Sequence, residues 1–249
     1  MVRLVMPDVK LFKEIVDSVS KIATETAIVA TPQGVELRAM DVDQSSLLEI
    51  FLPPEVFQEY AVDERLVIGV SLAHLKKVLA HVKKGDLLAL EATPEEVKWS
   101  IQSLVARNYR FRNIEVPIPE ISELQLGELN VEVTLHAGAF KKAVEDIAGV
   151  AGAIEFDATS QDVFVLRGVE TSTRIDAKFR VGSLALVSYT VKEPSKATYD
   201  VNKLQTVVNI ASITDVVKLE YSGEMPLKIT YNIGTSGRIT YYLAPFETG

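Results

Sequence analysis

The chain repeats itself. Shifting the sequence by 128 positions lays Leu11-Phe-Lys-Glu-Ile-Val-Asp-Ser-Val19 on Ala139-Phe-Lys-Lys-Ala-Val-Glu-Asp-Ile147, and Ala30-Thr-Pro-Gln-Gly-Val35 on Ala158-Thr-Ser-Gln-Asp-Val163. At an offset of 129, Leu72, Leu75, Val78 and Leu79 fall on Val201, Leu204, Val207 and Val208, and Asp86-Leu-Leu-Ala-Leu-Glu91 falls on Asp215-Val-Val-Lys-Leu-Glu220. Apolar matching aligns one such stretch by chance; two in the same order at nearly one offset mark a duplicated domain. The fold must therefore be one that a single topology builds twice. Between the copies runs Val116-Pro-Ile-Pro-Glu-Ile-Ser-Glu-Leu-Gln-Leu-Gly-Glu-Leu-Asn130, whose prolines, glycine and glutamates read as an extended surface connector. Leu124, Leu126 and Leu129 are more apolar than a linker requires, so the connector is expected to lie against something. The resulting division is 1–115, connector 116–130, and 131–249.

Within each copy the periodicity changes from 2 to 3.6 and back. Asp8 is a candidate N-cap for a stripe of Val9, Phe12, Ile15, Val16, Val19 and Ile22. Leu72, Leu75, Val78, Leu79 and Val82 form a second stripe, Phe140, Val144, Ile147 and Ala151 a third, and Val201, Leu204, Val207, Val208 and Ala211 a fourth. The remainder alternates at period two, as in Thr173-Arg-Ile-Asp-Ala-Lys-Phe-Arg-Val181, which suits strands with one wet face. Gly234-Thr-Ser-Gly237 reads as a hairpin turn. Two helices and two antiparallel sheets per copy give an α+β class.

Catalytic signatures do not emerge. Neither G-x-x-x-x-G-K-[ST] nor G-x-G-x-x-G occurs, so the usual phosphate-cradling loops are missing. The 249 residues contain no cysteine, which removes disulfides, thiol nucleophiles and thiolate metal sites. His74, His81 and His136 lack metal-ligand partners at helical spacing. No serine sits in a nucleophile elbow, and the 34 carboxylates single out no acid–base pair. The sequence implies no cofactor and no metal. It has no apolar run of the length a membrane helix needs, and its first residues lack the apolar core of a signal peptide.

Charge is more informative. The chain carries −8 overall, yet the four helical stretches total +5 and the rest −13. Ser71–Lys84 holds Lys76, Lys77, Lys83 and Lys84 with no acid. At 100° per residue, Lys77 and Lys84 lie roughly opposite the Leu72/Leu75/Val78 stripe, and Lys10, Lys13 and Lys21 oppose Phe12 and Val19. Lys141, Lys142 and Lys203 add to the helices of the second copy. One basic helix face is ordinarily just solvated. The same bias in both repeats of an acidic protein points to a phosphate-facing surface.

Four stretches then carry a family resemblance: Gly34-Val-Glu-Leu-Arg-Ala-Met-Asp41, Gly69-Val-Ser-Leu-Ala-His-Leu-Lys-Lys-Val-Leu79, Met225-Pro-Leu227 and Tyr241-Tyr-Leu-Ala-Pro245. The chain resembles the sliding clamps of the proliferating cell nuclear antigen family, the archaeal members most closely, over essentially its whole length. The resemblance implies a DNA-clamp fold and three two-domain subunits, copies of this chain or related ones, closed into a pseudo-sixfold ring. Helices would line the hole and sheets the outside, with double-stranded DNA encircled without regard to sequence. It implies no chemistry of its own, but tethering of DNA polymerase, flap endonuclease and DNA ligase, and opening by a clamp loader. Cytoplasmic, nucleoid-associated placement is implied for an archaeal member, and nuclear placement for a eukaryotic one.

The implied sites follow. Lys10, Lys13, Lys21, Lys76, Lys77, Lys83, Lys84, Lys141, Lys142 and Lys203 would face DNA. Met40, Leu47, Leu126, Leu129, Pro226, Tyr242, Ala244 and Pro245 match the family's apolar partner pocket beneath the connector. Tyr109, Phe111 and Arg112 on one edge, and Ile175, Ala177 and Lys178 on another, match its subunit-edge strands. The chain departs from the family in the neutral face of Asn202, Thr206 and Asn209, in Ser45, and in Phe246 after Ala-Pro. A checkpoint-type or heterotrimeric clamp subunit, or an unrelated two-domain enzyme, remains a competing reading of the sequence.

Overall fold

The repeat seen in the sequence is a repeat of elements. The computed structural model describes residues 1–6, 9–83, 85–119, 126–170 and 173–246. Asp8, the candidate N-cap, and Leu124 lie outside the described residues. In the first half the strands are β1 (Val2–Met6), β2 (Glu25–Thr31), β3 (Gly34–Met40), β4 (Ser46–Leu52), β5 (Glu59–Val62), β6 (Leu66–Ser71), β7 (Leu87–Ala92), β8 (Glu96–Gln102) and β9 (Arg107–Arg112). The second half has β10 (Val131–His136), β11 (Ala153–Ala158), β12 (Val163–Val169), β13 (Asp176–Arg180) and β14 (Leu186–Val191). It continues with β15 (Ser195–Asp200), β16 (Val216–Tyr221), β17 (Leu227–Ile233) and β18 (Gly237–Leu243). The helices are α1 (Val9–Val19), α2 (Leu72–Leu79), α3 (Ala137–Ala148) and α4 (Val201–Leu204).

Two compact units result. One comprises Met1–Val42, Leu48–Glu120 and Ile233–Ile239, the other Asp43–Leu47, Ile121–Asn232 and Thr240–Gly249. In the first, strands run in the order β5-β1-β7-β8-β9 in one sheet and β4-β3-β2-β6 in another. In the second the orders are β14-β10-β16-β17-β18 and β13-β12-β11-β15. The two units thus share one strand order, element for element, as a duplication requires. The pairings are antiparallel, for example Leu4 opposite Leu90 and Phe156 opposite Ala197. Alternation then puts one face of each sheet inside.

Helices cover the inner faces because their stripes demand it. α1 buries Val9, Phe12, Ile15, Val16 and Val19, and Phe12 meets Trp99 with ring centroids 5.3 Å apart. α3 buries Ala137, Phe140, Ala143, Val144 and Ile147. Phe156 centres the second core, edge-on to Tyr199 at 5.2 Å and Tyr221 at 5.7 Å. Each such large apolar side chain contributes about 1.5–3 kcal/mol by leaving water.

The fourth helix differs from its sequence reading. The stripe from Val201 to Ala211 suggests one continuous helix, but α4 ends at Leu204 and a 3-10 segment follows at Val208–Ser212. The i→i−3 bonds Thr206 N–H to Lys203 O (3.1 Å) and Val207 N–H to Leu204 O (3.2 Å) bridge them. Thr206-Val207-Val208 is a β-branched run, which crowds a helix and lowers its propensity, so the chain tightens there. Gly234, with φ +61°, takes the left-handed position of the β17–β18 turn, as the Gly-Thr-Ser-Gly reading expects.

Candidate DNA-facing helices, strand edges and partner surface

With their apolar stripes turned inward, α1 and α2 present their lysines to solvent. Lys10, Lys13, Lys21, Lys76, Lys77 and Lys83 are all exposed. Lys76 is drawn across to α1, where its Nζ lies 3.7 Å from Asp17 and 3.3 Å from Ser20 Oγ. Lys13, Lys77 and Lys83 have no carboxylate partner among the described residues. Lys84 lies outside the described residues. On α3, Lys141 pairs with Glu145 at 3.7 Å and Lys142 with Asp146 at 2.6 Å, one turn on, so both of that helix's positive charges are locally balanced.

Lys203 behaves otherwise. It is half-buried, 3.6 Å from Asp43 and hydrogen-bonded to Ser45 Oγ. Asp200 caps α4 by accepting from Asn202 N–H at 2.8 Å and Lys203 N–H at 3.3 Å. This lysine, placed among the DNA-facing candidates by the sequence, braces the 43–45 loop. Ser45, a departure from the family pattern, is what its ammonium binds.

Two of the strands that end sheets, β9 and β13, carry the residues matched to the subunit edges. β9 ends its sheet, with Arg107, Tyr109 and Phe111 half-buried and Asn108, Arg110 and Arg112 exposed. Phe111 stacks on His74 at 5.3 Å and 10°, beside a cavity of about 300 Å³ whose walls include Gly69, Leu75, Trp99 and Ile114. β13 ends the other unit's four-stranded sheet, with Ala177 half-buried, Phe179 buried, and Lys178 and Arg180 exposed. Ile175 precedes the strand, half-buried, and its carbonyl accepts from Gly168 N–H at 3.0 Å.

The partner residues are divided. Met40 ends β3 in the first unit; the other seven belong to the second. Leu47 is buried, while Leu126, Leu129, Pro226, Tyr242, Ala244 and Pro245 are half-buried. Ala244 N–H donates to Ser45 O at 2.8 Å and Phe246 N–H to Thr198 O at 2.7 Å. Pro245 has no N–H, so the segment's donors are spent inward and its carbonyls are what it offers a partner.

Leu126 and Leu129 line a cavity of about 350 Å³, but with Glu132, Thr190, Lys192, Glu220 and Lys228 rather than with the terminal segment. Its floor is the outer face of β10, β14, β16 and β17, crossed by Lys228–Glu220 (2.9 Å), Lys218–Glu220 (3.2 Å) and Lys218–Glu132 (2.9 Å). Burial opposes ionisation of Glu220, yet Lys228 and Lys218 hold its carboxyl below the usual range. The connector's end is fastened by Lys192–Glu128 and by Asn130 N–H to Ser222 Oγ at 2.7 Å. This charged floor escaped the apolar-pocket reading. Its only sequence signal is the period-two placement of Lys218, Glu220 and Lys228.

Nothing in these surfaces gathers a nucleophile with a base, and no cluster of metal-binding side chains occurs among the described residues. Exposed lysines on helices over antiparallel sheets in a twice-built unit are the features of a clamp-type protein. Comparison with known proteins supplies the family. The family model for the proliferating cell nuclear antigen N-terminal domain matches residues 1–116, and that for its C-terminal domain matches 124–246. DNA polymerase sliding clamp 1 of Aeropyrum pernix is 34% identical over 242 residues, covering 96% of this chain and 97% of the relative. The DNA polymerase sliding clamp of Pyrococcus furiosus is 31% identical, covering 97% of each. A PCNA2–PCNA3 complex from Sulfolobus tokodaii shares the fold with a TM-score of 0.92 at 22% identity, covering 98% of both chains. The chain belongs to the proliferating cell nuclear antigen family: it is a sliding clamp, a processivity factor without a catalytic step.

Proposed function

We propose that three subunits of this kind close head-to-tail through β9 and β13 into a ring around duplex DNA, with Lys10, Lys13, Lys21, Lys76, Lys77, Lys83, Lys84, Lys141 and Lys142 toward the phosphates. The observation that carries this reading is the set of lysines Lys13, Lys77 and Lys83, without a carboxylate partner among the described residues, on an otherwise acidic chain. A ring retains DNA by topology, so its contacts need only be weak and sequence-independent; tight ones would stop sliding. The acidic remainder turns DNA away from the other surfaces. Two different sheet-ending strands, one per unit, suit a heterologous interface that closes after a fixed number of copies.

Polymerase, flap endonuclease, ligase and the clamp loader would dock on the surface of Met40, Leu47, Leu126, Leu129, Pro226, Tyr242, Ala244 and Pro245. The carbonyls of the terminal segment would take strand-like hydrogen bonds from a client peptide. Replacing Lys13, Lys77, Lys84 and Lys142 together by Glu is expected to abolish clamp-stimulated DNA synthesis while native mass stays unchanged. Normal stimulation by that variant would return these lysines to an ordinary solvated face.

A further inference from the structure

One lysine that the sequence sets toward DNA is anchored elsewhere. The backbone of Lys203 is fixed on both sides: its N–H donates to Asp200 at 3.3 Å, and its carbonyl accepts from the Tyr241 hydroxyl at 3.0 Å and from Thr206 N–H at 3.1 Å. From that base the ammonium reaches Ser45 Oγ and, 3.6 Å away, Asp43. Between those two residues Gln44 has φ +55°, the one non-glycine residue with positive φ among the described residues. Left-handed backbone is disfavoured for a residue with a Cβ and persists where its surroundings hold it. Here the lysine grips the residues on either side of the disfavoured one.

The gripped loop carries one of two fastenings of the terminal segment. Ser45 O accepts from Ala244 N–H at 2.8 Å, and Thr198 O from Phe246 N–H at 2.7 Å. Thr198 lies within β15, opposite Glu155 of β11, so a sheet fixes that end. Ser45 precedes β4, which starts at Ser46, and its carbonyl stays in place only while the loop keeps its shape. The two arms of the lysine contribute unequally. The Asp43 side chain is 78% exposed, and an ion pair to it is worth little in water. The bond to Ser45 is charge-assisted and comes from a half-buried ammonium, so it is the arm that holds the loop.

We infer that Lys203 is a positioning residue for client docking: by holding Ser45 beside the left-handed Gln44 it sets the 43–45 loop, and through Ala244 the carbonyls that a client peptide meets. This inference rests on the proposed docking surface. It assigns the lysine to partner binding and not to phosphate contact, and it makes Ser45 the acceptor through which the lysine acts.

The test follows two affinities by anisotropy, one for a labelled duplex and one for a fluorescein-labelled peptide carrying a glutamine, an aliphatic residue and two aromatics. Lys203→Met keeps the aliphatic stem without the donor and should weaken the peptide about tenfold, the scale of one charge-assisted hydrogen bond. Ser45→Ala should cost as much, and the double variant no more than either alone, because both break the same link. Lys203→Arg should keep most of the affinity and Asp43→Asn nearly all of it. Adding Gln44→Gly to Lys203→Met should restore binding, since glycine takes the left-handed conformation unaided. Lost affinity without that rescue would mean that the lysine touches the peptide itself, and would overturn the positioning role. The salt slope of duplex affinity should stay the same in Lys203→Met; a flattening of about 0.9 would make Lys203 a phosphate contact and also overturn it. Unchanged peptide affinity in Lys203→Met sinks the inference and leaves the docking surface standing. If the wild-type chain does not bind the peptide, the docking reading fails and the positioning role with it.

Discussion

Asn113 ties three pieces of chain together with one side chain. Its Oδ1 accepts from Gly69 N–H at 2.8 Å, and its Nδ2 donates to Val67 O and Thr93 O, both at 3.1 Å. Beside it the carbonyl of Ile114 lies so close to Gly69 that an added Cβ would come within 1.8 Å of the oxygen. Only glycine permits that approach. The stretch leading into the connector is therefore seated by backbone contacts that apolar patterning does not register, which is why the sequence marks Gly69 only as part of a family motif. Asn113→Ala leaves one donor and two acceptors without their partner and is expected to cost about 1–3 kcal/mol. A urea midpoint that drops at constant m-value would show it; an unchanged midpoint would mean water replaces the side chain fully. Farther along, Leu126→Ala with Leu129→Ala should weaken a fluorescent client peptide at least tenfold, as loss of anchor contacts does at about 2 kcal/mol or more each. The melting temperature should hardly move, since both side chains are only half-buried. Retained affinity in the folded variant would place the client elsewhere.

At the scale of elements, legibility follows from whether a signal is local. α1 and α3 are readable because each writes its own stripe, Phe12/Ile15/Val19 or Phe140/Val144/Ile147, into consecutive turns. α4 is less so, because its stripe continues through a β-branched run that the backbone cannot carry as α-helix. The outer-face charge networks are scarcely readable, since beyond a period-two placement of charges they join residues brought together only by strand register. On β11, β12, β13 and β15 one such network links Asp157 to Lys196 (2.9 Å), Arg167 to Asp176 (2.9 Å) and Arg174 to Asp176 (3.2 Å). Burial would raise Asp157 and Asp176, but Thr159 and Lys196 around the first, and Arg167 and Arg174 around the second, hold both carboxyls below their usual value. Glu91 is lowered likewise, chiefly by its hydrogen bond from Lys98. A folded state with depressed carboxyls binds fewer protons than the unfolded chain. Their stabilisation is thus present above the ordinary carboxylate range, about pH 4, and is lost as pH falls through the folded values. The melting temperature should be insensitive to these groups near neutrality and drop below about pH 4, less steeply in Lys196→Ala, which starts without part of the network. An equal acid slope in that variant would show that the network titrates without stabilising.

At the scale of the whole molecule, two associations should answer salt with opposite signs. Phosphate contacts release counterions, so each lysine that touches DNA adds about 0.9 to the negative log–log slope of affinity against salt. Lys13, Lys77 and Lys83, unpaired within the described chain, would give up their contacts first. The proposed subunit seam is different. β9 carries Arg107, Arg110 and Arg112 with no acid, while the stretch from Arg174 to Arg180 carries Arg174, Lys178 and Arg180 against Asp176 alone. Each chain also brings a net charge of −8 to the ring. Arg107 and Arg110 are paired within the chain with Asp86 and Glu96, so the repulsion across the proposed seam is mainly the global one between acidic subunits, and salt screens it. The row of buried Phe179 and half-buried Tyr109, Phe111 and Ala177 is not weakened by screening. Raising salt from about 50 to 200 mM should therefore lower the affinity for labelled duplex steeply, while the sedimentation coefficient of the assembled protein at fixed concentration holds or rises. Anisotropy and sedimentation velocity on the same samples would separate the two. A ring that falls apart in step with DNA release would mean that opposite charges hold the seam, with Asp176 or another acid set against the arginines of β9.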